Sequence, residues 1–121
     1  ILPPKGATAS LLVAATSDMH GSLGILCVIN CNKVKGLLHL VPVIQKLREE
    51  YPQMLLLDGG DTFQGEILQF YINHVQVSVP WHDSLLHTMN FLKYDSMTLG
   101  NQDLVIPLEK LIWRMKESSF P

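Results

Sequence analysis

The chain has 121 residues, a formal net charge of −2, 47% hydrophobic residues and 17% charged ones. That is one domain or less on a prior of about 100–200 residues per domain, and the apolar content is enough for a packed core, which excludes wholesale disorder. The slightly acidic balance excludes a general nucleic-acid binder, whose surface would be basic. No apolar run approaches the about 18 residues of a membrane span. The longest, Leu11 to Ala15, is strand-sized. There is neither a starting Met nor a signal-peptide pattern, so targeting assigns no compartment.

Ile1 to Ser10, with a Pro-Pro pair and small residues, reads as an extended lead-in. Leu11 to Thr16 is a continuous apolar run, as expected for a strand covered on both faces. It ends in the polar turn Ser17-Asp18-Met19-His20-Gly21. Cys27 and Cys31 follow in a loop. They are too few for a metal knuckle, which wants four thiolate or imidazole ligands. They read as two ordinary thiols, as a small-ring disulfide if the loop bends, or as the working pair of a small redox protein.

Leu37, Leu40, Val41, Ile44 and Leu47 recur at helical spacing, and Pro42 within that pattern predicts a kink or a later true start. Tyr51-Pro52-Gln53 breaks the helix. Met54 to Leu57 is a second buried strand, ending in Asp58-Gly59-Gly60-Asp61. Ile67 to Ile72 reads as helix, and His74 to Pro80 as irregular or a short β excursion. Asp83 is placed to cap a helix running to about Leu92, with Leu85, Leu86, Met89 and Leu92 inward. Ser96 to Leu99 is a third strand, ending in Gly100-Asn101-Gln102-Asp103. Pro107 fits the first turn of a last helix whose apolar face is Leu108, Leu111, Ile112 and Met115.

Alternating strands and helices predict an α/β fold, with a mainly parallel sheet and flanking helices. Such sheets bind ligands beyond the carboxyl ends of their strands. Asp18 with His20, Asp58 with Asp61, and Asn101 with Asp103 all fall there. Residues two apart on an extended turn face the same way, so Asp18 and His20 can share one cation. Asp61 follows two glycines that let the backbone approach closely. A carboxylate so placed can bridge two metals about 3.5–4 Å apart, the spacing used for displacement at phosphorus. Asn101 offers an amide oxygen to the second. Each fragment alone is more often a plain turn; three in this order at successive strand ends are not.

Thr16 to Gly21, then Leu56-Leu57-Asp58-Gly59-Gly60-Asp61-Thr62-Phe63-Gln64-Gly65, then Met89-Asn90 and Tyr94 to Asn101 resemble the calcineurin-like metallophosphoesterases. The nearest branch is the 5'-nucleotidase and 2',3'-cyclic-nucleotide 2'-phosphodiesterase group. Gly36 to Pro52 resembles that branch's first helix, and the resemblance covers roughly residues 10 to 121. It implies that Asp18 and His20 bind a first metal, Asp61 bridges, and Asn101 binds a second. Mn, Zn or Fe suit these mixed ligands, with Mg and Ca left open. Asp58 reads as structural, and Gln64 as orienting the loop or lining the site.

The chain departs from the family in two ways. The usual Gly-Asn-His-Glu or Gly-Asn-His-Asp is here Gly100-Asn101-Gln102-Asp103, and the aspartate that partners that histidine is here Val105. Gln102 therefore occupies the catalytic position without a transferable proton. Nothing matches the family's later Gly-His-x-His loop; His39, His74, His82 and His87 lie outside the three strand-end loops. Residues 1–121 thus resemble the amino-terminal, incomplete part of a metallophosphoesterase domain, half of its four-layer sandwich.

Two functions follow as expectations. One is a metal-dependent phosphoester hydrolase of the 5'-nucleotidase type acting on nucleotides, present as a partial and impaired domain. The other is a non-catalytic, metallophosphoesterase-like binding scaffold. The expected partners are a nucleotide or other phosphoester, and either the missing second half of the domain or further copies of the chain. No nucleic-acid polymer and no membrane span are expected. An extracellular, cell-surface or periplasmic location follows from the resemblance only.

Overall fold

The structure, a computed structural model, describes residues 4–6, 8–24, 36–75 and 83–121. Cys27, Cys31, His82 and most of the stretch from His74 to Pro80 lie outside the described residues. Strand β1 (Val13–Thr16), strand β2 (Leu55–Asp58) and strand β3 (Ser96–Met97) form a parallel sheet in the order β1-β2-β3. Val13 pairs with Leu55 and Thr16 with Asp58, and β3 joins the far side through Leu57 with Ser96 and Asp58 with Met97. Both pairs are parallel, so all three strands end on one edge.

Helix α1 (Val41–Glu50) connects β1 to β2, helices α2 (Ile67–His74) and α3 (Ser84–Leu92) connect β2 to β3, and α4 (Leu108–Glu117) follows. Pro42 resolves as a true start: a 3-10 turn, Leu37–His39, precedes α1, and the proline occupies the first α turn, where its missing N–H is no loss. Asp83 caps α3 as its sequence predicts, accepting from Leu85 N at 3.0 Å and Leu86 N at 3.3 Å. Lys93 ends that helix in the left-handed region at φ 57°, a place glycine or asparagine usually takes.

The core forms where α3 and the start of α1 lie over β2. Leu85, Leu86, Met89 and Leu92 all point inward, against Leu37, Ile44, Met54, Leu56 and Tyr94. Burying a large apolar side chain fully is worth about 1.5–3 kcal/mol, so α3 anchors the sheet chiefly by packing. Met89→Ala would open a cavity at a cost of about 2–5 kcal/mol.

Three expectations need correction. Strand β1 is not covered on both faces: Val13 is 52% exposed and Ala15 is exposed as well, because the core packs on the face that carries Ala14 and Thr16, and the opposite face is open through Leu55 and Leu57 of β2 too, which are only half-buried. Helix α4 does not bury the face Leu108, Leu111, Ile112 and Met115; it buries Leu111 and Arg114 and leaves the other three exposed, because Arg114 is drawn inward by Asp83. His74 closes α2 and is exposed, its ring 4.6 Å from that of Phe70, one turn back.

Candidate metal centre

The turns that follow β1 and β2 continue side by side beyond the sheet. Asp18 N donates to Gly60 O (3.0 Å), His20 N to Asp61 O (2.9 Å) and Gly21 N to Thr62 O (2.7 Å). This ladder brings Asp18, His20 and Asp61 together: one ligand atom from each lies within 4.8 Å of the others. His20 Nε2 is 3.8 Å from Asp18 Oδ1. Ligand atoms about 2.0–2.2 Å from a shared cation stand roughly 3–4 Å apart, so the cluster needs little closing. Two carboxylates and an imidazole, with Asp18 and His20 exposed and Asp61 half-buried, are a donor set that suits a divalent ion.

The backbone beneath the cluster is strained. Among the described residues, the non-glycine residues with positive φ are Asp18 (55°), His20 (47°), Asp61 (56°) and the helix-ending Lys93. Each such residue stores energy of order 1–3 kcal/mol, less for Asp and His than for bulkier types, and such strain gathers at functional sites. Here it lies on the three clustered side chains.

The third loop closes against Asp61. Gln102 N donates to Asp61 Oδ1 at 2.7 Å. A Cβ on Gly100 would fall 2.1 Å from that same oxygen, and a Cβ on Gly60 (φ 93°) would fall 2.4 Å from Gly100 N, so both positions require glycine. Asn101 is exposed in the turn between Gly100 and Gln102, both of which touch Asp61. Gln102 touches the site through its backbone, and Val105 is exposed.

Asp103 fixes these loops to one another. It is fully buried and accepts from Thr62 N (3.0 Å), Phe63 N (2.7 Å) and Gly100 N (3.1 Å). Sequence reading placed it at the edge without a role; the available signal was a carboxylate two residues beyond Asn101. Asp58 is structural, as its position before the glycines predicts: it accepts from Thr16 Oγ1 (2.5 Å), Gly60 N (3.0 Å) and Thr62 Oγ1 (2.6 Å). Gln64 contributes its backbone carbonyl, which accepts from His20 Nδ1 at 3.1 Å. A carbonyl only accepts, so His20 Nδ1 is the donor, and in the neutral ring this leaves Nε2 with its lone pair. Tyr94 is buried against Thr16 at 2.9 Å, and burial pushes its phenol above the usual value, with the Asp58 carboxylate adding to the effect.

A parallel α/β sheet with clustered carboxylate, imidazole and carboxylate groups at its carboxyl edge defines a metallophosphoesterase-like class. No family model matches the chain. It is similar to human 5'-nucleotidase, 32% identical over all of this chain and 21% of the relative. It is also similar to the trifunctional nucleotide phosphoesterase protein YfkN of Bacillus subtilis, 33% identical over 92% of this chain and 8% of the relative. The crystal structure of the calcineurin-like phosphoesterase YfkN superposes with a TM-score of 0.76 at 33% identity, over 90% of this chain and 34% of that one. The chain belongs to the calcineurin-like phosphoesterases, in the branch of the 5'-nucleotidases, and spans about a fifth of the length of the human relative.

Proposed function

We propose that this chain is the amino-terminal part of a phosphoesterase domain of the 5'-nucleotidase type, which takes up divalent cations at Asp18, His20, Asp61 and Asn101 and binds the phosphate of a nucleotide there. The observation that carries this reading is the meeting of Asp18, His20 and Asp61 on strained backbone at the carboxyl edge of a parallel sheet. In this reading Asp18, His20 and Asp61 would hold one ion, and Asp61 with Asn101 would hold a second. A bound divalent cation supplies Lewis acidity toward a phosphoryl oxygen and a nucleophile at neutral pH. The chain's own residues hold and orient: His20 presents Nε2, and Gln102 N and Gly100 fix the Asp61 carboxylate.

That the chain is part of a larger domain is supported by its share of its relatives' length and by uncovered apolar surface. Leu108 and Met115 of α4 are exposed, and an apolar groove lined by Met97, Leu99, Met115 and Phe120 runs along the β3 side.

Calorimetric titration of the chain with Mn²⁺ tests the metal reading. Weak binding whose affinity falls about tenfold or more in Asp61→Asn is expected; affinity unchanged by Asp61→Asn overturns it.

A non-catalytic scaffold is the second reading, favoured by Gln102 and Val105. Glutamine donates a hydrogen bond but transfers no proton, and valine cannot orient a replacement. In a protein carrying the rest of the domain, 5'-AMP hydrolysis should be slow, and Gln102→His with Val105→Asp should raise it at least about tenfold, the low end of what a general acid supplies. Measurable turnover in the unmodified protein that already equals that of the double variant would show that Gln102 is no defect and would remove the scaffold reading; negligible turnover in both would remove the hydrolase reading.

A further inference from the structure

We propose that the buried Arg114 and Asn73 form a positioning device which holds His20 as its Nδ1–H tautomer, with Nε2 presented to a divalent cation; the inference rests on the metal reading above.

Arg114 is 2% exposed, on the inner face of α4. Its Nε donates to Asp83 Oδ2 (2.8 Å), and its Nη2 to Gln69 Oε1 (3.1 Å) and Asn73 Oδ1 (2.7 Å). Because a guanidinium only donates, Asn73 must face it with the carbonyl oxygen, which decides the amide's orientation. The Asn73 amide nitrogen is therefore turned the other way, donating to Phe63 O (2.7 Å) and Gln64 Oε1 (2.8 Å). These bonds pin the Phe63–Gln64 backbone, and the Gln64 carbonyl is the acceptor for His20 Nδ1. The contacts run from Arg114 through Asn73 and the Phe63–Gln64 segment to His20: the guanidinium settles which way the Asn73 amide faces, Asn73 places the segment, and the Gln64 carbonyl, which can only accept, makes His20 Nδ1 the donor.

A second contact reaches the same segment. Gln69, held by Arg114 and by its own bond to Asp83 (3.0 Å), lies on Gly21, where a Cβ would meet Gln69 Cγ at 2.5 Å. The residue after His20 is thus pressed by the same cluster that sets the acceptor for its ring. A fold seeking only stability gains little from this arrangement, since a buried ion pair is often no better than apolar packing of the same volume. What the polar cluster does supply is a defined direction for each group. The ring nitrogen that carries the proton is set by the bond the other ring atom makes, and such outer partners commonly decide metal affinity. Free histidine favours the opposite tautomer, so the Nδ1–H form must be imposed by this surrounding structure.

The test uses the metal-free chain with ¹⁵N-labelled histidine, at a pH where the ring is neutral, and long-range ¹H–¹⁵N correlation, with His20→Gln to assign the signal. Wild type should show Nδ1–H. Asn73→Asp keeps an acceptor for Arg114 and removes the donor to Phe63 and Gln64. It should move His20 toward the Nε2–H form and weaken Mn²⁺ binding by about tenfold or more, read by water-proton relaxation. If that variant does not fold, Asn73→Ser carries the same two readouts. An Nε2–H wild type, or folded variants with unchanged tautomer and unchanged Mn²⁺ affinity, would overturn the inference. A wild type in the Nδ1–H form that takes up no Mn²⁺ would remove the metal reading and leave the tautomer assignment standing, so the two failures are separable.

Discussion

The six aspartates of the chain divide into two kinds by the company they keep. In the interior, Asp58, Asp83 and Asp103 are buried and each accepts at least three hydrogen bonds. At the sheet edge, Asp18 accepts from Ser17 Oγ and Asp61 from Gln102 N, on backbone with positive φ. A carboxylate has about four lone-pair sites. In the interior set these sites are largely taken up by protein donors. In the edge set most face outward, and the backbone is strained to keep them so. Asp95 lies between the two kinds, exposed yet bound to Leu56 N at 2.8 Å. A carboxylate's role therefore follows from its unfilled sites and its backbone more than from its place in a motif: Asp58 and Asp61 share one Asp-Gly-Gly-Asp turn and fall into opposite classes.

The sharpest way to break that division is Asp103→Ala. It leaves the Thr62, Phe63 and Gly100 N–H groups without their acceptor, and each unsatisfied buried group costs about 1–3 kcal/mol. A loss of about 3 kcal/mol or more in urea unfolding is expected, from three such groups together. A loss below about 1 kcal/mol would show that water reaches these groups and that Asp103 is not an interior clamp.

Asp61→Asn probes the other class. Asparagine tolerates the left-handed backbone at φ 56° and keeps an acceptor for Gln102 N. Stability should stay within about 0.5 kcal/mol of the parent, while Mn²⁺ affinity falls about tenfold or more, as for disrupted metal sites generally. Urea melts and calorimetry on one sample separate the two effects. A large drop in stability would place Asp61 among the interior aspartates.

Asp18→Gly goes further. Glycine adopts φ 55° without strain, so the chain should keep its stability or gain up to about 1 kcal/mol while losing Mn²⁺ binding. A clear destabilisation would show that the Asp18 side chain supports the fold rather than a ligand.

Much of this division was legible in the sequence. The three parallel strands and the polar groups at their carboxyl ends follow from apolar runs alternating with helical periodicity, and the Asp83 cap from its place before Leu85 and Leu86. The separation of Asp58 from Asp61 was legible from the two glycines between them. What was not legible is tertiary. The open face of β1 depends on which face of the sheet the core packs against, which an apolar run cannot report. The inward turn of Arg114 depends on Asp83, thirty-one residues away, and a lone arginine beside Leu111 on an otherwise apolar helix face was its only local sign. The clamp role of Asp103 depends on the Thr62 and Phe63 N–H groups, brought in from the loop after β2 to meet the Gly100 N–H of its own turn.

The smallest expected effect extends the interior class to a phenol. Tyr94 is buried and bonded to Thr16 Oγ1, which in turn donates to Asp58. Burial raises its pKa above the ordinary value of 10.0, and the nearby Asp58 charge raises it further. The folded chain thus keeps this proton to higher pH than the unfolded chain does. Above about pH 10 the unfolded state binds fewer protons, so stability falls as pH rises; below that pH the contribution is constant. Tyr94→Phe should flatten this alkaline slope, at a cost of about 0.5–1.5 kcal/mol at neutral pH for the lost hydrogen bond. The measurement is thermal unfolding from pH 8 to 11 for both proteins, with absorbance at 295 nm following phenolate formation. If the wild-type slope persists in Tyr94→Phe, the alkaline loss arises elsewhere and the Tyr94, Thr16 and Asp58 relay is not closed to solvent in the way the other interior carboxylate partners are.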